Sequence, residues 1–280
     1  MEFRPLCLED QAWIKACRDT REHPFTALSF PSLFAWREAY GLRVAGDEDF
    51  FVIRSFYDGG YYCPCGAEDK CLSFLDSLEA PARILYLSEA QAERLASRGW
   101  TTRHRPDLSE YICSAAALAL REGHMSNSFK VKCRHYRQNL NYSTHVLSAA
   151  DLPMIRELME KIEADGSQSD YHDLGVLRTE IDYMQALGMR GIALEVPGGY
   201  HAFILGYENK PDMFTMTMSK HDPALPTETT TVCIHELACC MAGEYSLINL
   251  EEDLGLEGLR KAKQLYSPVD LLEVFEASKT

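Results

Sequence analysis

Two stretches in the second half of this 280-residue chain combine side chains that could do chemistry. In "CIHELACC" (233–240) His235 and Glu236 stand together like the opening of a helical zinc site. Four residues after His235 such a site needs a second histidine, and the chain has Cys239, so no metal is expected there. A glutamate buried on a helix gains proton affinity and suits a general base, whereas a solvated one only decorates the surface. The second stretch is "INLEEDLGLEGLRKAKQLYSP" (248–268), in which three consecutive acids precede two glycines and three bases. On a helical wheel of about 100° per residue, Leu256, Leu259, Ala262 and Tyr266 share one face. Lys261 points away from that face, Arg260 lies on its edge, and Lys263 falls inside the apolar arc. A lysine so placed either extends past its neighbours to water or meets an anion in a cleft. Asp253 suits an N-cap, where unpaired N–H groups and the positive dipole end attract an anion or a carbonyl oxygen. Gly255 and Gly258 either admit a ligand or simply shape the turn into the helix.

The elements that must hold these residues read most clearly from residue 143 onward. "STHVLS" (143–148) alternates as a strand, and 149–165 is an amphipathic helix with Leu152, Ile155, Leu158, Met159 and Ile162 on one face. A second helix over 177–189 stops at Gly188, and strands follow at 191–199, 200–209 and 212–221. A helix over 226–243 opens on Thr/Glu capping chemistry and ends at Gly243. A strand (245–250), the helix carrying Lys263, and strand-like sequence over 267–277 complete the chain. This is the element order of the Gcn5-related N-acetyltransferase (GNAT) fold, a mixed sheet split at its middle between two splayed parallel strands.

The first half fits the same template. Helices at 8–19 and 31–41 precede strands at 42–46, 49–56 and 59–66, then a helix (67–79), a strand (82–88), a helix (88–99) and an apolar strand (109–120). A unit repeated after about 130 residues is therefore expected, with domains at 1–122 and 123–280 and the second holding the active cleft. The expected fold class is mixed α/β, two tandem GNAT domains, each a centrally splayed sheet flanked by helices. A single α+β domain is the alternative.

Composition narrows the function. A formal charge of −14 repels nucleic acid at long range, so any such contact needs a local basic patch. "FKVKCRHYRQN" (129–139) supplies one, with Lys130, Lys132, Arg134 and Arg137 and no acid; a solvated connector between domains is its ordinary reading. The ten cysteines are scattered, and the N-terminus lacks a signal-peptide core, so a reduced, cytoplasmic location is expected. Cys63, Cys65 and Cys71 lack paired C-x-x-C spacing and read as free thiols. No window approaches the roughly 20 apolar residues of a membrane span.

Residues 245–276, "YSLINLEEDLGLEGLRKAKQLYSPVDLLEVFE", resemble the closing motif of a bacterial family similar to the C-terminal domain of phosphatidylglycerol lysyltransferase. The motif runs through Asn249, Glu252–Asp253, Leu254–Gly255, Gly258-Leu259-Arg260, Ala262–Lys263 and Tyr266-Ser267-Pro268. "FTALSFPSLFAWREAYGL" (25–42) and "VIRSFYDGGYY" (52–62) resemble the same family's N-terminal half. "CRHYRQNLN" (133–141) matches its central basic motif in part, with Gln138 where asparagine is expected. The resemblance implies tandem acetyltransferase-like domains and kinship to enzymes that take an aminoacyl group from charged tRNA to a lipid or peptide amine or hydroxyl. It places Lys263 near the donor's acyl or phosphate groups.

An acyl- or aminoacyl-transferase is the leading expectation, since such transfer needs positioning, a cation for developing negative charge, and a proton acceptor. Lys263 and Arg260 are the expected donor contacts, with Gly255 and Gly258 beside them and Glu236 as base. Lys130, Lys132, Arg134 and Arg137 are candidate tRNA or phosphate contacts. The expected acceptor is a small molecule or lipid, and the expected donor is an acyl-CoA or an aminoacyl-tRNA, the latter disfavoured by the net charge. A coenzyme A-dependent N-acyltransferase is the alternative within the class, and Lys220 and His221 could bind a phosphate. Neither half, however, carries the basic-x-x-Gly-x-Gly/Ala loop that cradles pyrophosphate, reading instead "MSKHDPALPTETTTV" (218–232) and "YYCPCGAEDKC" (61–71). A catalytically silent module binding a ligand or protein partner is the alternative of another class.

Overall fold

The structure is a computed structural model describing residues 1–18, 24–120, 127–165 and 171–280. In chain order the first part runs β1 (Arg4–Pro5), α1 (Asp10–Cys17), α2 (Phe30–Trp36), β2 (Leu42–Asp47), β3 (Phe50–Ser55), β4 (Tyr61–Tyr62), β5 (Cys65–Gly66), α3 (Glu68–Ser77), β6 (Ala82–Leu87), α4 (Glu89–Ala96) and β7 (Thr101–His104). Then come β8 (Glu110–Ser114), α5 (Ala115–Leu120), α6 (Asn127–Asn139), β9 (Ser143–Val146), α7 (Leu152–Asp165), α8 (Tyr171–Asp182), β10 (Arg190–Val196), β11 (Gly199–Lys210) and β12 (Met213–His221). The chain closes with α9 (Thr229–Met241), β13 (Leu247–Asn249), α10 (Glu257–Leu265), β14 (Asp270–Leu272) and β15 (Phe275–Lys279).

Two compact units result, one of residues 1–110 with 272–280 and one of residues 111–271. The first sheet has the order β1-β2-β3-β4-β6-β15-β7 with β5 on β3, and the second β14-β8-β13-β12-β11-β10-β9. Each sheet is thus completed by a strand from the other half of the sequence: β15 fills the place between β6 and β7, and β8 the place between β13 and β14. The boundary expected at 122/123 lies outside the described residues, and the units divide at 110/111. Local periodicity cannot show this exchange, because β8 and β15 are five-residue strands whose partners are distant in sequence.

Within the second unit the expected periodicity positions the elements. Ile155, Leu158, Met159 and Ile162 of α7 are buried at the i, i+3, i+4, i+7 spacing, while Leu152 is half-buried. The sheet core, including Ile192, Leu194, Ile204 and Phe214, packs on Val232, Ile234, Leu237 and Ala238 of α9. The expected strand over 109–120 is instead β8 followed by α5: Ser114 Oγ accepts the Ala117 N–H at 3.2 Å, and the alanine-rich run that follows favours helix. The helix expected over 177–189 is α8, ending at Asp182, with Gly188 closing the next turn at φ +65°. The basic segment is no connector but α6, which drives Phe129, Cys133 and Tyr136 into the core. Among the described residues no helix is long and apolar enough to cross a membrane.

Candidate active site

The parallel strands β12 and β13 pair only over Met213–Thr215 and Leu247–Asn249. Beyond that point β12 continues to His221 while the chain after β13 turns away, so the sheet forks at Thr215 and Asn249. On the other side of β12 the register against β11 slips between Leu205 and Gly206, and Thr217 is the extra residue of a β-bulge. Glycine is required opposite the bulge: a Cβ at Gly206 would lie 2.1 Å from the Thr215 carbonyl oxygen. Bulges interrupt the ladder and re-aim side chains, and here the re-aimed residue is Thr217.

Thr217 Oγ1 donates to Glu180 Oε2 at 3.0 Å. Glu180, on α8, is 2% exposed. Burial pushes its carboxyl up to about 8, and the Thr217 hydroxyl only partly offsets this. Thr215, at the root of the fork, is fully buried and its hydroxyl finds no hydrogen-bond partner among the described residues. A buried acid shifted toward neutrality and an unsatisfied hydroxyl lie together at this strand break, a combination enriched at functional sites. Glu180 was legible in the sequence, since it lies on the wheel arc of Val176, Leu177, Ile181 and Met184, all buried. It is absent from the expected site residues, although the wheel test that singled out Lys263 marks it as an inward charge too.

Lys263 does point inward, as its wheel position requires, but the leucines used to define that face do not. Leu256 and Leu259 are 56% and 41% exposed, and of the expected face only Tyr266 is buried. The helix begins at Glu257, one residue after Leu256, and the side it turns inward is the one bearing Arg260, Lys263 and Tyr266. The Lys263 ammonium donates to the main-chain carbonyl of Leu250 at 2.6 Å and to that of Glu252, clamping the turn that follows β13. Asp253 is not the N-cap, which is Leu256. It is a fully buried hub that accepts from Tyr111 Oη at 2.7 Å, the Gly255 N–H at 2.8 Å and Arg260 Nε at 2.7 Å. Burial alone would raise Asp253, and these three donors more than offset it and hold the carboxyl below its ordinary range. Gly255 takes φ +73° in this turn, and a Cβ at Gly258 would meet nothing within 4 Å. The run of charges therefore builds a densely hydrogen-bonded turn beside the fork.

A second polar cluster forms around Glu236. Its Oε1 accepts from Arg137 Nη2 at 2.7 Å and Tyr142 Oη at 2.8 Å, and its Oε2 from Thr144 Oγ1 at 3.3 Å. Burial favours the neutral acid, but Arg137 and Tyr142 win and the carboxyl is lowered. The expected raised, base-like Glu236 is thereby corrected: on a buried face it acquired a cation. His235 is 1% exposed, with Nδ1 2.8 Å from the Leu118 carbonyl and Nε2 3.2 Å from Arg137 Nη2. Arg137 and Glu236 line an open polar cavity of about 670 Å³ with Asn139, Asn141, Tyr142 and Thr144.

The basic segment separates into faces. Lys130, Arg134 and Arg137 follow one another along one flank of α6 at four- and three-residue spacing, and Lys132 lies on the other flank. Lys220 and His221 end β12 opposite Phe203 and Ala202, and His221 Nδ1 lies 3.0 Å from the Asp222 carbonyl. Among the described residues no group of histidine, cysteine and carboxylate side chains is arranged to hold a metal.

A forked mixed sheet in each unit defines the fold as two tandem acetyltransferase-like domains. Residues 20–277 match the family described as phosphatidylglycerol lysyltransferase, C-terminal, and the chain belongs to that family. A conserved protein of unknown function from Bacteroides thetaiotaomicron VPI-5482 is 24% identical, with a TM-score of 0.84 over 100% of both chains. L-PGS from Bacillus licheniformis is 13% identical, with a TM-score of 0.63 over 90% of this chain and 92% of that one. A tandem GNAT protein from the clavulanic acid biosynthesis pathway is 10% identical, with a TM-score of 0.50 over 99% and 98%. Among proteins of curated function, none matches the sequence. Family and fold together support a transferase-like function.

Proposed function

We propose that the second unit transfers an acyl or aminoacyl group to an amine or hydroxyl within the fork between β12 and β13. The observation that carries this reading is Glu180, buried against the Thr217 bulge with its carboxyl near 8. A group of that affinity takes up a proton when the nucleophile attacks and returns it to the leaving group, the role of a general base and acid near neutral pH. Thr217 relays the proton: its Oγ1 accepts from the attacking N–H or O–H while its own hydrogen passes to Glu180. The proton balance closes when the leaving hydroxyl or thiol of the donor is protonated.

For the donor, an aminoacyl-tRNA is favoured over acyl-CoA. The loop between β12 and α9 has no glycine cradle, and Glu228, the N-cap of α9, makes no side-chain cap. Lys130 and Arg134 on the flank of α6 are the proposed phosphate contacts; Arg137 is engaged with Glu236 and closes that end of the row. Lys263 and Arg260, with Gly255 and Gly258, hold the turn that forms one side of the fork, so their proposed effect on the donor is through the shape of that turn.

The test is a donor competition. Purified protein is incubated with mixed radiolabelled aminoacyl-tRNAs or with acetyl-CoA, each beside a panel of amine and lipid-hydroxyl acceptors. Label transferred from tRNA and abolished by Thr217→Val supports the reading. Transfer from acetyl-CoA alone overturns the choice of donor, and transfer unaffected by Thr217→Val overturns the site.

A further inference from the structure

The first unit has a fork of its own, and it opens into a cavity. β4 and β6 run parallel at Tyr61–Ile84 and Tyr62–Leu85, and the Cys63 N–H still reaches the Leu85 carbonyl at 2.8 Å. There the pairing ends. Pro64 has no N–H to continue the ladder, β5 turns back onto Phe50 and Phe51 of β3, and Tyr86 bends β6 at φ +60°. The gap is a cavity of about 300 Å³, roofed by α3 and α4. That volume lies at the lower end of ligand pockets, which run from about 300 to 1,000 Å³.

Its chemistry is sharply divided. Inside it is aliphatic and thiol, with Leu75, Leu87 and Leu95 buried and Cys71 beside them. Burial pushes the Cys71 thiol up to about 12, so it is uncharged and neither nucleophile nor anion. At the solvent end lie two guanidinium groups, Arg94 and Arg98, which are 53% and 37% exposed. Arg94 gives one hydrogen bond to Glu68 and Arg98 one to Asp76. A guanidinium has five N–H donors, so both keep capacity for a further anion. A phosphate is a poor fit, because α3 starts on Ala67 without a side-chain cap and places Glu68 and Asp69 in its first turn.

We infer that this cavity binds an unbranched fatty carboxylate of medium chain length, its hydrocarbon between α3 and α4 and its monoanionic head on Arg94 and Arg98. The site lies wholly in the first unit, apart from the fork assigned to transfer, and stands or falls separately from it.

The test is isothermal titration calorimetry of the full chain with sodium decanoate, decan-1-ol and decyltrimethylammonium. Decanoate should bind, the cation should not, and the Arg94→Gln/Arg98→Gln double variant should weaken decanoate by about tenfold while leaving decanol unchanged. Absence of decanoate binding, equal binding of the cation, or an unchanged double variant would overturn the proposal. A measurement on the unaltered protein guards against a variant that does not fold: decanoate should shift the carbon-13 methyl resonances of Leu75, Leu87 and Leu95, which line the cavity. Unchanged methyl resonances at saturating decanoate would also overturn it.

Discussion

Replacing Glu180 by glutamine keeps the shape of a buried side chain and its hydrogen bond to Thr217 while removing the titration. The carboxyl moves from an ordinary 4.5 to about 8 on folding. At about 1.36 kcal/mol for each tenfold change in proton affinity, the folded state disfavours the ionised form by roughly 5 kcal/mol. The sign follows from which state holds the proton. Between pH 4.5 and about 8 the unfolded chain has released it and the folded chain has not, so stability falls as pH rises through this window and levels off above it. Other groups titrate as well, and the difference between wild type and Glu180→Gln isolates this one. Urea unfolding at pH 5, 6, 7, 8 and 9 should show the variant gaining on wild type by about 1 kcal/mol or more per pH step until the curve flattens near 8. A difference independent of pH would refute the reasoning, since it would place an ordinary, solvated carboxylate where a buried one is claimed.

Thr217→Val removes the hydroxyl that holds Glu180 down, so the Glu180 carboxyl should titrate above 8, read from its carbon-13 shift; an unchanged midpoint would disconnect the two side chains. Lys263→Met strips the Leu250 and Glu252 carbonyls of their cation and should cost about 1–3 kcal/mol in denaturant unfolding. No loss would mean the clamp is ornamental. Arg137→Ala should cost a similar amount, about 1–3 kcal/mol, for one charged hydrogen bond. Because Arg137 holds Glu236 low, that cost should be full above pH 4.5 and shrink as the pH falls below it, and a loss that grows in acid would contradict the pairing.

How far the sequence reaches is seen at individual residues. Alternation over 212–221 and the apolar spacing of 149–165 locate β12 and α7 because their burial pattern is local. The inward turn of Lys263 is local too, but its partners are carbonyls of Leu250 and Glu252, and main-chain acceptors leave no mark in the residue types. Glu236 was found by its place in an apolar helix, and its lowered proton affinity depends on Arg137, which lies 99 residues away in the chain. The bulge at Thr217 arises from the register of β12 against β11, fixed by packing at Gly206 rather than by a signal in either strand. The strand exchange is the least legible feature, since β8 and β15 find partners that no local pattern names.

The most direct test of the fork as a transfer site is the pH dependence of single-turnover transfer from aminoacyl-tRNA, compared between wild type and Glu180→Gln. The account predicts a wild-type rate that rises with pH and levels near 8, as the base form accumulates. It predicts a rate lower by about 10²–10⁴ in the variant, with that rise absent. A variant that transfers at the wild-type rate, with the same pH profile, would contradict it.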